Sequence, residues 1–271
     1  NANPALIAAH PERSLEALEA MVRWCTPGNV LALGLESADP AVMEANNLNA
    51  DAKMTMEAVR LINEAGGRRR GDGLPALLPG INFVTGLPGE TKRTLELNRE
   101  FLQGILDGPH LVRRVNVRRA LLPGSRGPAR SRIHSAFRAW VGGTFEPVML
   151  SRVAPPGTLM EGVFLERRSG NTTFGRQSAS YPLLVGLPYA RHTGAWCDVR
   201  VTSAGARSLT GAAVPVNVNV AGMDELCALP GVGRRRAATI VRRRPLRGMA
   251  ELSEVLEDEG VAVALEGWVT F

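Results

Sequence analysis

Hydrophobic and polar positions follow two alternating patterns over the first 150 residues. Apolar side chains three or four positions apart, as at Leu15, Leu18 and Val22, predict amphipathic helices, whereas short continuous apolar runs predict buried strands. The predicted helices cover residues 14–24, 52–65 and 90–106, and the predicted strands cover residues 30–35, 81–84 and 115–120. Strands that alternate with helices in this way predict a parallel sheet with helices packed outside it. Residues 66–80, which hold five glycines and Arg68-Arg69-Arg70, are predicted to form a solvated loop.

The pattern changes after Pro155. Short strand candidates now follow one another between glycine-rich turns, at residues 162–166, 173–178, 182–187 and 197–202. This spacing predicts a small antiparallel barrel. A helical segment from about Met223 to Leu256 comes last. The chain is therefore predicted to contain an α/β domain at residues 1–150, a small β-barrel at 155–213 and an all-α domain at 214–271.

The composition indicates a globular protein with an anionic partner. Of the 271 residues, 45% are hydrophobic, which is enough for a sizeable core and excludes wholesale disorder. The net charge is +6 and the isoelectric point is near 10.0, as expected of a protein that binds an acidic polymer. Its basic residues are arginines apart from Lys53 and Lys92. Arginine forms forked bonds to phosphate, although a GC-rich coding bias is the simpler explanation of this preference taken alone.

Residues 214–249 contain the most specific motif. A short helix is predicted from Met223, residues 229–233 (Leu-Pro-Gly-Val-Gly) turn the chain, and a second helix is predicted at 234–243. Glycines allow the tight turn and a close approach of the backbone to a ligand, and the start of the second helix offers free N–H groups to an anion. Residues 234–249 hold seven arginines and no acid, whereas residues 250–271 hold six acids and no base. The positive charge is thus predicted to be localised.

This segment resembles the helix-hairpin-helix modules, with Ala237, Ala238 and Ile240 at packing positions and residues 215–219 preceding the hairpin. In that family the hairpin backbone binds phosphates without reading the base sequence. The resemblance implies a nucleic-acid site that consists of Pro230, Gly231, Gly233, Arg234, Arg235 and Arg236. The alternative is a hairpin that only contacts protein, a use also found in the family.

Four stretches of the middle segment carry a pattern of their own: Val163-Phe164-Leu165-Glu166, Phe174-Gly175-Arg176, Gly194 with Asp198-Val199-Arg200-Val201, and Leu209-Thr210-Gly211. Together they resemble TRAM, a small RNA-binding barrel appended to many RNA-modifying enzymes. The resemblance favours RNA over DNA as the partner and implies a phosphate contact for Arg176. An ordinary solvated barrel rim is an equally good interpretation of that arginine.

Three strand-end motifs stand out in the first domain: Gly34-Leu35-Glu36-Ser37, residues 81–91 and residues 115–118. In this order they resemble the fourth strand, the fifth strand with its loop, and the sixth strand of radical S-adenosylmethionine (SAM) enzymes of the methylthiotransferase-like branch. The resemblance implies a partial α/β barrel and a SAM site that consists of Gly34, Glu36, Ser37, Gly86, Pro88, Gly89 and Asn116. A turn or helix-capping role is the alternative for Glu36, and an ordinary strand-to-helix turn is the alternative for residues 86–89.

One requirement of that family is missing. A radical SAM enzyme holds a [4Fe–4S] cluster on three cysteines spaced Cys-x3-Cys-x2-Cys, and thiolate ligation is essential to it. Here Cys25, Cys197 and Cys227 are widely separated. We therefore predict that this chain alone does not bind the cluster and is inactive, and we assign no catalytic or metal-ligating residue. The start at Asn1 leads us to expect the C-terminal part of a longer enzyme.

Two alternatives remain at this stage: a non-catalytic nucleic-acid-binding protein with a degenerate barrel, and a scaffold whose hairpin binds protein. His10, His110, His134 and His192 lack zinc-ligand spacing. The chain has no apolar run of membrane-spanning length, and its few cysteines fit a reducing cytoplasm. The sequence thus predicts a cytoplasmic protein that, when complete, modifies RNA with SAM and an iron–sulfur cluster.

Overall fold

The structure is a computed structural model that describes residues 2–120 and 128–271, the side chains of 128–131 excepted. It is a mixed α/β protein with a closed five-stranded barrel and several helices. The chain divides into two compact units. Unit 1 comprises residues 1–153 and 179–181, and unit 2 comprises residues 154–178 and 182–271.

Unit 1 alternates helices and strands, as the hydrophobic pattern predicts. Its strands are β1 (Asn29–Glu36), β2 (Leu77–Thr85) and β3 (Arg114–Arg119). Its helices are α1 (Pro4–Ala9), α2 (Pro11–Trp24), α3 (Pro40–Ala45), α4 (Ala52–Gly66), α5 (Lys92–Asp107), α6 (Pro128–Trp140) and α7 (Glu146–Val153), with a π-helical turn at Val141–Phe145 between the last two.

The three strands form a parallel sheet in the order β1-β2-β3. Because side chains alternate between the faces of a strand, each face has its own composition. Leu33, Ile81 and Val115 occupy one face and are buried against the helices. The opposite face of the sheet, which we call the open face, carries the next residue of each strand. These residues are Gly34, Asn82 and Asn116, and all three are half-buried.

Residues 179–181 belong to unit 1 although strands of unit 2 flank them in the sequence. The Ser180 amide donates to the Asn29 side chain at 2.8 Å, and its hydroxyl accepts from the Val30 amide at 3.0 Å. Arg113 donates to the Tyr181 carbonyl at 3.1 Å, and the guanidinium of Arg114 lies 4.3 Å from the centre of the Tyr181 ring. Burial lowers the pKa of Arg113 to about 10, so the Tyr181 carbonyl compensates a largely desolvated cation.

The predicted solvated loop at residues 66–80 is wrong in two respects. Strand β2 begins inside it, at the buried Leu77 and Leu78, because these apolar residues outweigh the turn-forming Pro79 and Gly80 that follow them. Arg69 is half-buried and donates to main-chain carbonyls, at 3.0 Å to Gly73, 2.9 Å to Arg152 and 2.7 Å to Val153. The hydrogen bonds of its side chain therefore hold the loop against the end of α7.

Unit 2 begins with the barrel. Its strands are β4 (Leu159–Ser169), β5 (Thr172–Gln177), β6 (Leu184–Leu187), β7 (Trp196–Ala204) and β8 (Leu209–Val214), closed in the order β4-β5-β6-β8-β7. The predicted small barrel is thus confirmed, but the antiparallel prediction is wrong for one pair. Strands β6 and β8 run parallel, with Val185 opposite Leu209, because the strand between them in sequence crosses to the far side of β8 to close the barrel.

The rest of unit 2 is a helical tail, residues 214–271, with its own apolar core. Its elements are β9 (Val216–Asn217), α8 (Met223–Cys227), α9 (Arg234–Arg243), α10 (Met249–Leu256), α11 (Glu259–Ala264) and β10 (Val269–Thr270). The two short strands pair in parallel and bring the ends of the tail together. Across the described parts of both units, no helix is long and apolar enough to cross a membrane.

Phe83→Ala is expected to destabilise unit 1 by about 3–5 kcal/mol, because truncation of a buried aromatic ring leaves a cavity. Phe83 is fully buried, and its ring centre lies 5.1 Å from that of Phe137 and 6.4 Å from that of Phe101. Urea unfolding followed by circular dichroism measures the change. Leu6→Ala, at a side chain 60% exposed, is the matched control and should change the free energy of unfolding little. Equal effects of the two substitutions would contradict the assignment of the core.

Candidate functional site

The carboxyl ends of β1, β2 and β3 lie at one edge of the sheet, where parallel α/β proteins carry their ligand sites. Just before this edge, Gly34, Asn82 and Asn116 stand side by side in register on the open face. The Asn116 amide nitrogen donates to the Asn82 side-chain oxygen at 3.1 Å. The amide nitrogen of Asn82 and the amide oxygen of Asn116 make no hydrogen bond within the described part of the chain, so both remain for a ligand.

Glu36 ends β1 at a bulge in the register with β2, in a left-handed conformation with φ of 64°. Its carboxylate folds back over Gly34, since a Cβ atom at that glycine would lie only 3.0 Å from the Glu36 Oε1 atom. Burial raises the pKa of Glu36, and Arg118 opposes this rise. A cavity of about 240 Å³ adjoins the carboxylate, lined among others by Asn3, Asn49 and Ala50.

Ser37, a predicted cofactor residue, lies inside the turn after β1 and is only 1% exposed. Its hydroxyl accepts from the Asp39 amide at 3.2 Å, and Asp39 in turn caps α3 through the Ala41 amide at 3.0 Å. The second Asp39 oxygen accepts from the Thr94 hydroxyl at 2.5 Å. This buried polar network joins β1, α3 and α5, so Ser37 supports the edge of the sheet and does not line its open face.

The predicted loop at residues 86–89 packs against α3. Gly86 has a φ of 85°, and its amide donates to the Glu90 carboxylate at 2.7 Å. The Pro88 carbonyl accepts from the Asn46 side chain at 2.9 Å, and Gly89 has a φ of 81° close to α3. The strand-to-helix turn that was the alternative interpretation therefore accounts for the contacts of these three residues.

A histidine that the sequence did not single out lies at the same edge. His134, on α6, places Nδ1 2.8 Å from the hydroxyl of Thr85, the last residue of β2. The same hydroxyl donates to the Arg118 carbonyl at 3.2 Å. Burial, with Arg138 and Arg119 nearby, lowers the pKa of His134. The two residues are 49 positions apart, with no motif to link them, so only the fold reveals the pair.

The described residues do not fit an iron–sulfur cluster. Cys25, Cys197 and Cys227 are free thiols, the first in unit 1 and the other two in unit 2. Among the side chains that the structure describes, no three of the types His, Cys, Asp and Glu come together as metal ligands. A [4Fe–4S] cluster needs several thiolates at one point, and these residues do not provide them.

The second candidate site is the hairpin between α8 and α9. Gly231 turns the chain with φ of 71°, and the Val232 amide donates to the Leu229 carbonyl at 3.1 Å. A Cβ atom at Gly231 would approach Val261 to 2.9 Å, so the turn is packed against α11. Gly233 is the N-cap residue of α9 and, within the described chain, no side chain caps this helix start. Pro230 is half-exposed beside the turn.

The three arginines that open α9 differ in their surroundings. Arg234 and Arg235 are exposed. Arg236 is half-buried and donates to the Gly231 carbonyl at 2.8 Å and to the Asp258 carboxylate at 2.7 Å. Its side chain therefore braces the hairpin. The fold thus brings one acid of the last segment, Asp258, into contact with the basic segment. Arg242, Arg243 and Arg247 are exposed as well.

Arg176, the predicted phosphate contact on the barrel, forms an ion pair with Glu166. In register it lies opposite Phe164, which in turn lies opposite Trp196. The Trp196 ring is 62% exposed, and its centre is 5.0 Å from that of Phe164. The outer wall of the barrel therefore presents an aromatic surface beside an arginine that is already paired.

Comparison with known proteins finds relatives in archaea. No family model matches the chain. The chain is 40% identical over 265 residues to an uncharacterized protein of Archaeoglobus fulgidus, covering 94% of the chain and 49% of that protein. It is 41% identical over 225 residues to an uncharacterized protein of Methanocaldococcus jannaschii, covering 79% of the chain and 41% of that protein. The chain therefore spans about half the length of the curated relatives it matches.

Glu36→Gln is expected to raise the thermal unfolding midpoint at neutral pH. Because burial raises the pKa of Glu36 in the folded protein, ionisation of this carboxyl group opposes folding. That cost is present above the folded pKa and is absent below the ordinary glutamate pKa of about 4.3. The gain from the substitution should therefore shrink as the pH is lowered through this range.

Differential scanning calorimetry at a series of pH values measures the effect. Glu44→Gln, at an exposed carboxylate on α3, is the control and should leave the midpoint almost unchanged at every pH. A lower midpoint for Glu36→Gln at neutral pH would mean that the Glu36 carboxylate makes a stabilising contact in its ionised form.

Proposed function

We propose that the tail, residues 214–271, binds the phosphate backbone of nucleic acid as a helix-hairpin-helix domain. The observation that supports this most is the start of α9, where Gly233 leaves the helix without a capping side chain in the described chain and the exposed Arg234 and Arg235 follow. Cations in the first turn of a helix oppose its dipole and cost about 0.3–1 kcal/mol each. A phosphate group bound there would make the positive charge at the start of α9 favourable, and it would accept hydrogen bonds from the free backbone N–H groups of the first turn.

The glycine at the helix start agrees with this proposal. Gly233 has an ordinary φ of −80°, and no described atom lies within 4 Å of the position that a Cβ atom would take. Other residues could therefore occupy this position without strain, and serine, threonine or aspartate would cap the helix. A glycine here leaves room for a ligand to approach the backbone. Gly231 differs, because its positive φ and the nearby Val261 side chain require a glycine for the turn itself.

We further propose that the nucleic acid is RNA and that the complete protein is a radical SAM enzyme that modifies it. The closed barrel and its resemblance to TRAM favour RNA over DNA. The parallel sheet of unit 1, with polar side chains toward its carboxyl edge, supports the comparison with a partial radical SAM barrel. SAM with a [4Fe–4S] cluster would supply radical chemistry, and the cluster ligands are not among the residues described here.

Of the residues predicted to hold SAM, Glu36, Gly34 and Asn116 fit that role best. The Glu36 carboxylate can accept from ligand hydroxyl groups, Gly34 leaves room for that carboxylate to lie over the sheet, and Asn116 offers an amide oxygen. The other four predicted residues would support the backbone at the edge of the sheet and would not contact SAM directly. They are Ser37, Gly86, Pro88 and Gly89.

Arg234→Ala/Arg235→Ala is expected to weaken the binding of short RNA at least about tenfold and to reduce the slope of log K against log salt by about two. Each arginine that contacts a phosphate releases counterions, so its loss lowers the salt dependence. Fluorescence anisotropy with single-stranded and duplex RNA and DNA across a salt series measures both quantities and ranks the two polymers. Arg13→Ala/Arg23→Ala, at exposed positions on α2, removes the same charge elsewhere and should reduce the slope much less.

Gly233→Ala is the more selective variant, since it keeps every charge. The fold accommodates the methyl group, so the unfolding midpoint should change little while RNA affinity falls several-fold. Equal losses for the two double-arginine variants would indicate a general charge effect, and no binding at low salt would remove the proposal in favour of a protein-binding hairpin.

Glu36→Gln is expected to weaken the binding of S-adenosylhomocysteine by about tenfold, the loss of a charge-assisted hydrogen bond. This SAM analogue requires no cluster and serves as the probe, with isothermal titration calorimetry of the chain as the measurement. Glu44→Gln is again the control, and it should bind as the unsubstituted chain does. Failure of the unsubstituted chain to bind the probe at millimolar concentration would favour a nucleic-acid-binding protein with a degenerate barrel.

A further inference from the structure

The outer wall of the barrel carries two neighbouring rows of aromatic and basic side chains. In the first row, Trp196, Phe164 and Arg176 lie in register on adjacent strands. In the second row, Arg167 lies opposite Phe174, and its guanidinium is 4.6 Å from the centre of that ring. Residues two apart on a strand point to the same face and lie about 7 Å apart. The rows therefore form one continuous surface, which we call the aromatic wall.

The core of the barrel does not require the rings of this wall. The inward positions of the same strands are filled by Val163, Leu165 and Val199, which are fully buried. The Trp196 ring is 62% exposed and packs at a tilt against Phe164, with 5.0 Å between the ring centres. Since aromatic side chains pack against other planar groups through their ring faces, the exposed part of the Trp196 ring offers such a face to a ligand.

The charges on the wall indicate the class of ligand. Arg167 and Arg168 are exposed, whereas the charge of Arg176 is neutralised by its ion pair with Glu166. Proteins bind single-stranded nucleic acid by stacking its bases on aromatic rings while basic side chains follow its backbone. A duplex keeps its bases stacked on one another and presents no base face to such a surface. Exposed rings beside exposed arginines therefore favour a single strand.

The aromatic wall is linked to the tail through α8, within unit 2. The Asn171 side chain, in the turn between β4 and β5, donates to the Asp224 carboxylate at 2.9 Å. Arg191, in the segment before β7, donates to the Glu225 carboxylate at 3.3 Å. Asp224 and Glu225 belong to the first turn of α8, which leads into the hairpin at residues 229–233. The helix that carries the hairpin is thus fixed to the strands that carry the wall.

We propose that the aromatic wall binds an unpaired segment of the RNA, with Trp196 as the ring on which a base stacks and with Arg167 and Arg168 as contacts to the backbone. The hairpin holds phosphates of the adjoining segment. The choice of RNA rests on the proposed function, whereas the wall itself consists of barrel residues alone. The protein should accordingly bind RNA with a single-stranded segment more tightly than a continuous duplex of the same length.

Trp196→Leu tests the stacking contact. Leucine keeps an apolar side chain beside Phe164 but has no ring, so a short oligouridylate should bind about tenfold more weakly, the effect of one lost base stack. The slope of log K against log salt should stay the same, because no charge is removed. Binding of a blunt RNA duplex should also be unchanged, and Trp196→Phe should retain most of the affinity. Fluorescence anisotropy measures these constants, and circular dichroism checks the folding of each variant.

Trp24→Leu is the matched control, because this ring is 85% exposed on α2 in unit 1. It should bind the oligouridylate as the unsubstituted chain does. An equal loss for Trp24→Leu and Trp196→Leu, or no loss for either, would overturn the proposal.

Nuclear magnetic resonance of the indole N–H groups in the full chain observes the wall directly. Addition of tetrauridylate should shift the Trp196 resonance and leave that of Trp24 in place. Absence of a Trp196 shift at millimolar tetrauridylate would overturn the proposal.

The two proposals fail separately, because one depends on a ring and the other on charges in the tail. A Trp196 shift, together with RNA binding that Arg234→Ala/Arg235→Ala does not weaken, would reject the proposed function of the tail alone. Salt-dependent RNA binding that this double variant weakens and Trp196→Leu does not would reject the aromatic wall alone.

Discussion

The burial of one face of a parallel sheet is the constraint on which unit 1 depends. Parallel sheets are ordinarily covered on both sides. Here Leu33, Ile81 and Val115 are buried against the helices on one side. On the other side Val30 and Leu78 are buried near the start of the strands, and Gly34, Asn82 and Asn116 are half-buried toward the carboxyl ends. A core on one side fixes the strand register, and that register aligns the polar side chains in a row on the other side. The candidate ligand site is therefore a direct consequence of how the core is packed.

The hydrophobic pattern predicted the parts of the fold that local sequence controls. The helix at residues 234–243 was predicted to the residue, because a glycine turn precedes it and a proline follows. The strands that form β1 and β3 were close to their observed bounds, since β1 is a short apolar run and β3 contains two β-branched valines at alternate positions, Val115 and Val117. The start of β2 was missed because Pro79 and Gly80 conceal an apolar run behind turn-forming residues. Helices α6 and α7 were also not predicted, and α6 carries His134.

Contacts between distant residues account for most of what the sequence could not predict at the sites. Nothing local indicates that Thr94 donates to Asp39, that Asp258 pairs with Arg236, or that β6 pairs in parallel with β8. Glu36 was singled out by the resemblance to radical SAM enzymes, and its left-handed backbone and raised pKa are seen only in the structure. Strained backbone and a buried carboxyl group both cost stability.

The path of residues 179–181 limits where the chain can be truncated and how its barrel can be exchanged for another. These residues lie between two strands of the barrel in sequence, yet they complete unit 1, where Tyr181 supplies the carbonyl for the buried Arg113. A break after Val153 would deprive unit 1 of this acceptor, and a barrel exchanged for another would need the same short insert at the same place. No single cut in the sequence therefore separates the two units intact, and gene fusion or truncation at their boundary is disfavoured by the chain's own path.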